Sequence, residues 1–396
     1  MNDHCPSVRR VLITAVVLAT GAVPVNARAQ VVVENTLASA WTTTPEWTLE
    51  EDLRIWGPPD GYLSLVGGLA ADSRDNIYVL DYVTQEIYVF DSEGDFVRTL
   101  GGQGDGPGEF RNALGPAIGP GDTLWVGDQR APRYSVFAPD GTFLGVRQRR
   151  GIASGGAATE RCTITPDGDY LEWWTRFPKE ERSGDMSDID LFHLYPIRVS
   201  PHSGQQDTLP YLEFTQLMAD MPSLGMRSPV RFGPRLEYAL DCRGGIWFAR
   251  GDEYRLYRRS LGGETTIVAT LEGPRAADID ESDRNEVRAS FERRPNPALM
   301  GDYLRTLPAK KPIISHVSAD GAGHVFVFPE TSRIEEGTAI DVFREDGVFV
   351  GRLAVPEEVD PRLLAKMAVY ATPDYFLFAG EDDAGTPYVS RVRIRR

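Results

Sequence analysis

Apolar and polar residues alternate at period two over short runs along most of the chain, and turns of glycine, proline and aspartate separate the runs. That is the pattern of half-buried strands joined by tight hairpins, not of amphipathic helices. One stretch fixes the larger order. Residues 77–96, IYVLDYVTQEIYVFDSEGDF, align without a gap to residues 124–143, LWVGDQRAPRYSVFAPDGTF, 47 positions later. Asp81 falls on Asp128, Val89 and Phe90 on Val136 and Phe137, Gly94 on Gly141, and Phe96 on Phe143. A further apolar segment precedes each copy, at 65–71 and 113–118, so one unit holds four strands. A repeat of this length is a supersecondary unit that buries its faces only against neighbours.

Weaker copies continue the series. A third unit begins near Thr159 and returns through 195–199, after an acidic excursion at 179–190. A fourth covers 237–271, a fifth ends at Leu353, and a sixth stops at Ile394 with only three strands. The segment 47–56, WTLEEDLRIW, is strand-like and belongs to no unit. Supplying it as the missing outer strand of the sixth unit closes a ring and hides two sheet edges. The expected fold is therefore all-β: a six-bladed β-propeller of four-stranded antiparallel blades, closed by an N-terminal strand. Between blades four and five, residues 274–312 break the pattern. Two helices are expected there, at 281–294 and 297–307, because Leu299, Tyr303 and Leu307 recur every four residues. So short an insertion needs the propeller as a surface for its apolar stripe.

The segment GGQGDGPGEF at 101–110, with the Y-V-x-D and V-F-D-x-x-G motifs, resembles the NHL-type six-bladed propellers of bacterial secreted proteins. The resemblance covers 68–148 well, and it implies the ring fold and a binding role. Its glycines lack the Lys-Ser/Thr ending of a phosphate loop, and a strand follows them instead of a helix. They are expected to turn the chain from one blade to the next, with Phe110 plugging the gap. Asp81 and Asp128 recur by blade and are read as strand-end ligands of local backbone, not as a catalytic pair. The D-G pairs at Asp140, Asp167 and Asp346 are read as hairpin turns.

Export changes the picture of the first residues. Arg9 and Arg10 precede an apolar run at 11–22, and Ala27 and Ala29 form an A-x-A site, so residues 1–29 read as a signal peptide cleaved after Ala29. Residues 30–396 are then one propeller domain, secreted or periplasmic and expected to be a monomer. No later run approaches the about 18 apolar residues of a membrane span. The signal segment holds three basic and one acidic residue, which leaves 39 basic against 57 acidic and a net charge of −18. A field of that sign repels phosphate backbones and argues against nucleic-acid partners. Cys162 and Cys242 remain after cleavage, either as one disulfide or as two small buried side chains.

Equivalent positions on the innermost strands form rings around the channel. One ring reads Gly68, Gly115, Arg161, Glu237, His316 and Met367 from blade one to blade six. Arg161, Glu237 and His316 make a one-sided polar sector, suited to a small polar ligand or a protein partner, or else to pairing among themselves. The ring one residue later, Leu69, Pro116, Cys162, Tyr238, Val317 and Ala368, should pack between blades. No catalytic residue, resident metal or cofactor is assigned. The alternative is a metal-dependent lactonase or lyase of the six-bladed type, with calcium as a possible ion; in the ring only Glu237 supplies a suitable oxygen, and only His316 of four mature histidines points inward.

Overall fold

The computed structural model describes residues 11–13, 30–37, 47–131, 133–148, 164–165, 168–176, 187–200, 203, 205–291, 295–330, 339–356, 369–382 and 384–396. They form an all-β, six-bladed propeller. Blade one is Val66–Ala71, Ile77–Asp81, Glu86–Phe90 and Phe96–Gly101, each antiparallel to the next, with Leu69 opposite Val79 and Val79 opposite Tyr88. Blade two repeats it with Ala113–Ile118, Leu124–Asp128, Arg133–Phe137 and Phe143–Gln148. The middle strands carry continuous apolar runs because neighbouring blades cover both of their faces, so every residue of Ile77–Asp81 is buried. The outer strand Phe143–Gln148 has one free face and alternates.

Blade six is Val369–Ala371, Tyr375–Glu381 and Pro387–Arg395, and its outer strand is Thr48–Ile55, paired antiparallel so that Ile394 faces Leu49. Charge adds to the ladder. Arg391 donates two hydrogen bonds of 2.9 Å to the Asp52 carboxylate, and Arg393 adds one of 2.5 Å. Burial works to raise the Asp52 carboxyl, but these two guanidiniums outweigh it and hold the group below the ordinary carboxylate range.

Blades four and five are Glu237–Leu240, Gly245–Ala249, Arg255–Ser260 and Thr265–Glu272, then Ile314–Ala319, His324–Pro329, Ala339–Arg344 and Phe349–Ala354. A buried polar link joins them. The Tyr254 hydroxyl donates to Asp341 at 2.6 Å, and Arg352 forks onto the same carboxylate at 2.7 and 3.0 Å. Leu69 and Val317 are buried, and Tyr238 packs on the Leu171 and Phe248 cluster, as expected for positions between blades.

Two features exceed the repeat. Val31–Thr36 adds to the outer edge of blade four as a parallel strand, and a short strand at Val11–Ile13 pairs with it in turn. Asn35 ties this strand to blade five by donating to Gly347 O at 3.0 Å and accepting from Phe349 N at 2.9 Å. In blade three, Tyr170–Arg176 pairs with the long strand Ser187–Val199, whose outer side is shared by Gln206–Thr208 and Leu212–Met221 before Met226–Pro229 completes the sheet.

The insertion folds as α1, Glu281–Ala289, and α2, Pro297–Thr306. Asp280 and Asp283 cap α1 reciprocally, at 3.0 and 2.9 Å, and Asn296 caps α2 ahead of Pro297 at N1. Tyr303 packs on Ala219, Met221 and Val230, while Asp302 accepts from Ser223 N and Oγ at 2.9 and 2.6 Å. Tyr303 of the apolar stripe thus finds its surface on the extended blade three.

Candidate functional site

Gly68 pairs with Leu80, Glu237 with Ala249 and His316 with Phe328, at equivalent places in three blades. Glu237 and His316 therefore stand at the N-terminal ends of adjacent inner strands. Their side chains meet, with His316 Nδ1 3.3 Å from Glu237 Oε2. Arg161 and Met367 lie outside the described residues.

A residue absent from the ring reading completes the cluster. Arg235 Nε donates to the other Glu237 oxygen at 2.5 Å, and its Nη2 reaches Ser315 O at 3.3 Å. The Glu237 side chain is only 11% exposed and that of Arg235 is 47% exposed, so the carboxylate is the anchor and the guanidinium the part presented to solvent. Gly251 keeps this packing possible: its φ is +78°, and a Cβ would sit 3.2 Å from Arg235 O.

Further charges surround the cluster. Lys311, in the approach to the inner strand of blade five, forms a buried 2.6 Å ion pair with Asp283 of α1. Glu330 follows the second strand of that blade, with its N–H donating to Ile313 O at 3.0 Å. Burial pushes its carboxyl up to about 7, against the pull of Lys311 and Arg235. Arg235 and Glu330 carry no mark in the repeat alignment. Arg235 was within reach as the residue two before Glu237, just ahead of the inner strand of blade four; the significance of Glu330 arises from burial alone.

The other candidates resolve as structural. Asp81 accepts from Ser64 N and Val83 N at 2.6 and 2.9 Å, and Asp128 accepts from Arg111 N, Asn112 N, Arg130 N and Ala131 N between 2.8 and 3.2 Å. Both carboxylates are fully buried and fasten the entry of the inner strand to the turn after the second strand. Asp140 and Asp346 accept from Thr142 N and Val348 N in hairpin turns, and Asp167 lies outside the described residues. Phe110 is fully buried against Phe137 between blades one and two. Cys242 is disulfide-bonded, with its partner outside the described residues.

Among the described residues, no group of three or more His, Cys, Asp or Glu side chains is placed to hold a metal ion. His324 bonds to Asp320 at 2.7 Å in a turn, and His193 stacks on Tyr211 in blade three. No helix of the described residues is long and apolar enough to cross a membrane.

Residues 66–118 match the family model described as 6-bladed beta-propeller. The match spans blade one and the inner strand of blade two. No curated protein matches the sequence. Among solved structures, a Bacteroides fragilis protein assigned as exported is 14% identical with a TM-score of 0.49, over 92% of this chain and 100% of the other. Virginiamycin B lyase from Staphylococcus aureus is 11% identical with a TM-score of 0.44, over 88% and 99%. The calcium-binding protein regucalcin from Agrobacterium tumefaciens is 10% identical with a TM-score of 0.36, over 91% and 96%. No activity passes from these proteins to the present chain at such values.

Proposed function

We propose that this chain is an exported binding protein, and that it takes a small polar ligand bearing an anionic group at the channel mouth formed by Arg235, Glu237 and His316. The observation that carries the reading is the division of labour in that cluster. Glu237 is covered and fixes Arg235 on one side and His316 on the other, while the Arg235 guanidinium remains half exposed at the mouth. Such a preorganised, partly desolvated cation binds a carboxylate or phosphate better than a loose surface arginine does. Insertion α1 flanks the mouth through the Asp283 to Lys311 pair.

The test is a melting-temperature screen of the mature protein against sugar acids, dicarboxylates and amino acids. A hit should raise the melting temperature of the native protein, and Glu237→Ala should abolish the rise. Equal shifts in the two proteins would remove this cluster from the binding site. Export is supported by the A-x-A segment, and amino-terminal sequencing of protein recovered from its host should begin at Gln30.

A further inference from the structure

The opposite end of the channel is built differently. A cavity of about 510 Å³ opens where the inner strands end, and residues of five blades line it: Ala71 of blade one, Ile118 of blade two, Ile164 and Leu171 of blade three, Leu240 of blade four and Tyr370 of blade six. Walls drawn from five blades place it on the ring axis. It lies about three residues, or roughly 10 Å, along the blade-four inner strand from Glu237. Its volume falls in the roughly 300–1,000 Å³ range of small-molecule sites, and its walls combine these aliphatic side chains with Ser73, Thr165 and glycine backbone, with the Tyr370 hydroxyl turned to Ala71 O at 3.3 Å.

Among the described residues, three charged side chains edge it, and of these Arg243 is the one that can turn toward a guest. Asp72 is committed to its own turn, accepting from Arg74 N and Asn76 N at 2.9 and 3.0 Å and from Asn76 Nδ2 at 2.7 Å. Asp122 is committed to Ser73, whose N and Oγ donate to it at 3.1 and 2.6 Å. Arg243 differs. It pairs with Glu345 of blade five, but both side chains are about half exposed, at 51% and 46%. An ion pair in that setting contributes little and is readily exchanged. Arg243 also lines the cavity, so a carboxylate entering the rim can form a charge-assisted bond with its guanidinium.

We propose that this cavity is a second binding site, distinct from the Glu237 cluster, and that it takes a small amphipathic carboxylate, with the hydrocarbon part in the channel and the carboxylate on Arg243.

Decanoate and decan-1-ol are the probes, titrated calorimetrically into the mature protein and into Arg243→Gln and Glu237→Ala. The native protein should bind one decanoate. Arg243→Gln should weaken that binding by about tenfold to a hundredfold, the range expected for one charge-assisted contact, and leave decan-1-ol unchanged. Glu237→Ala should bind decanoate as the native protein does. Absence of decanoate binding at millimolar concentration, equal affinity for the acid and the alcohol, or an unaltered affinity in Arg243→Gln would each overturn the proposal. A loss in Glu237→Ala with Arg243→Gln unaffected would assign the binding to the upper mouth and overturn it as well.

Discussion

Glu330 is the residue whose chemistry depends most on where the fold puts it. Its carboxyl has an ordinary value of 4.5 and is raised to about 7 by burial. Between those values the folded protein retains a proton that the unfolded chain releases, so this residue makes stability fall as pH rises through the window, with the loss complete above about 7. The full effect is about 3 kcal/mol at most. Urea unfolding at a series of pH values should therefore show that Glu330→Gln removes the decline and leaves the variant more stable than the native protein at pH 8. An unchanged pH profile would show that the native carboxyl titrates normally. At this scale the sequence was informative where residues recur and silent where they do not. Asp81 and Asp128 were readable as structural because each sits at the same place in a repeat, and Glu237 and His316 were placed on adjacent strands for the same reason. Arg235 and Glu330 have no counterparts to align, and what singles them out is a neighbouring carboxylate in one case and loss of solvent in the other.

The glycine-rich connection from blade one to blade two shows the same contrast at the scale of an element. Gly101 has φ of +85°, and a Cβ there would lie 2.2 Å from the Phe110 ring; Gly102 has φ of +126°, with nothing within 4 Å of the corresponding point. Gly101→Ala carries both backbone strain and collision with a buried aromatic, whereas Gly102→Ala carries strain alone. Denaturation should place Gly101→Ala more than about 3 kcal/mol below the native protein and Gly102→Ala only about 1–2 kcal/mol below it. Similar losses would mean that Phe110 moves aside freely. The strands of blades one and two and the starts of both insertion helices were legible, although the first helix ends at Ala289 and not at 294. The outer part of blade three was not, because the strands at Leu212–Met221 and Met226–Pro229 extend beyond the repeat and serve as the platform for Tyr303. Nor was the strand Val31–Thr36, whose partner lies more than two hundred residues away in blade four.

Taken whole, the molecule is a ring whose two ends carry different chemistry: charged side chains at the start of the inner strands of blades four and five, and a cavity partly walled by aliphatic side chains where the inner strands finish. Both arrangements require six sheets held in a circle, and the circle is completed by Thr48–Ile55 bonding to Pro387–Arg395 across almost the entire chain. If closure is part of the cooperative fold, the amides of these two strands open only when the whole domain does. Hydrogen exchange of the mature protein, followed by mass spectrometry over peptides spanning 48–55 and 387–395, measures this directly. The alternate amides of 48–55 that face 387–395, and the amides of 387–395, should exchange as slowly as those of the middle strands of blades one and five. Rapid exchange of every amide of 48–55, those facing 387–395 included, would mean that the N-terminal strand is not the closing element of the ring.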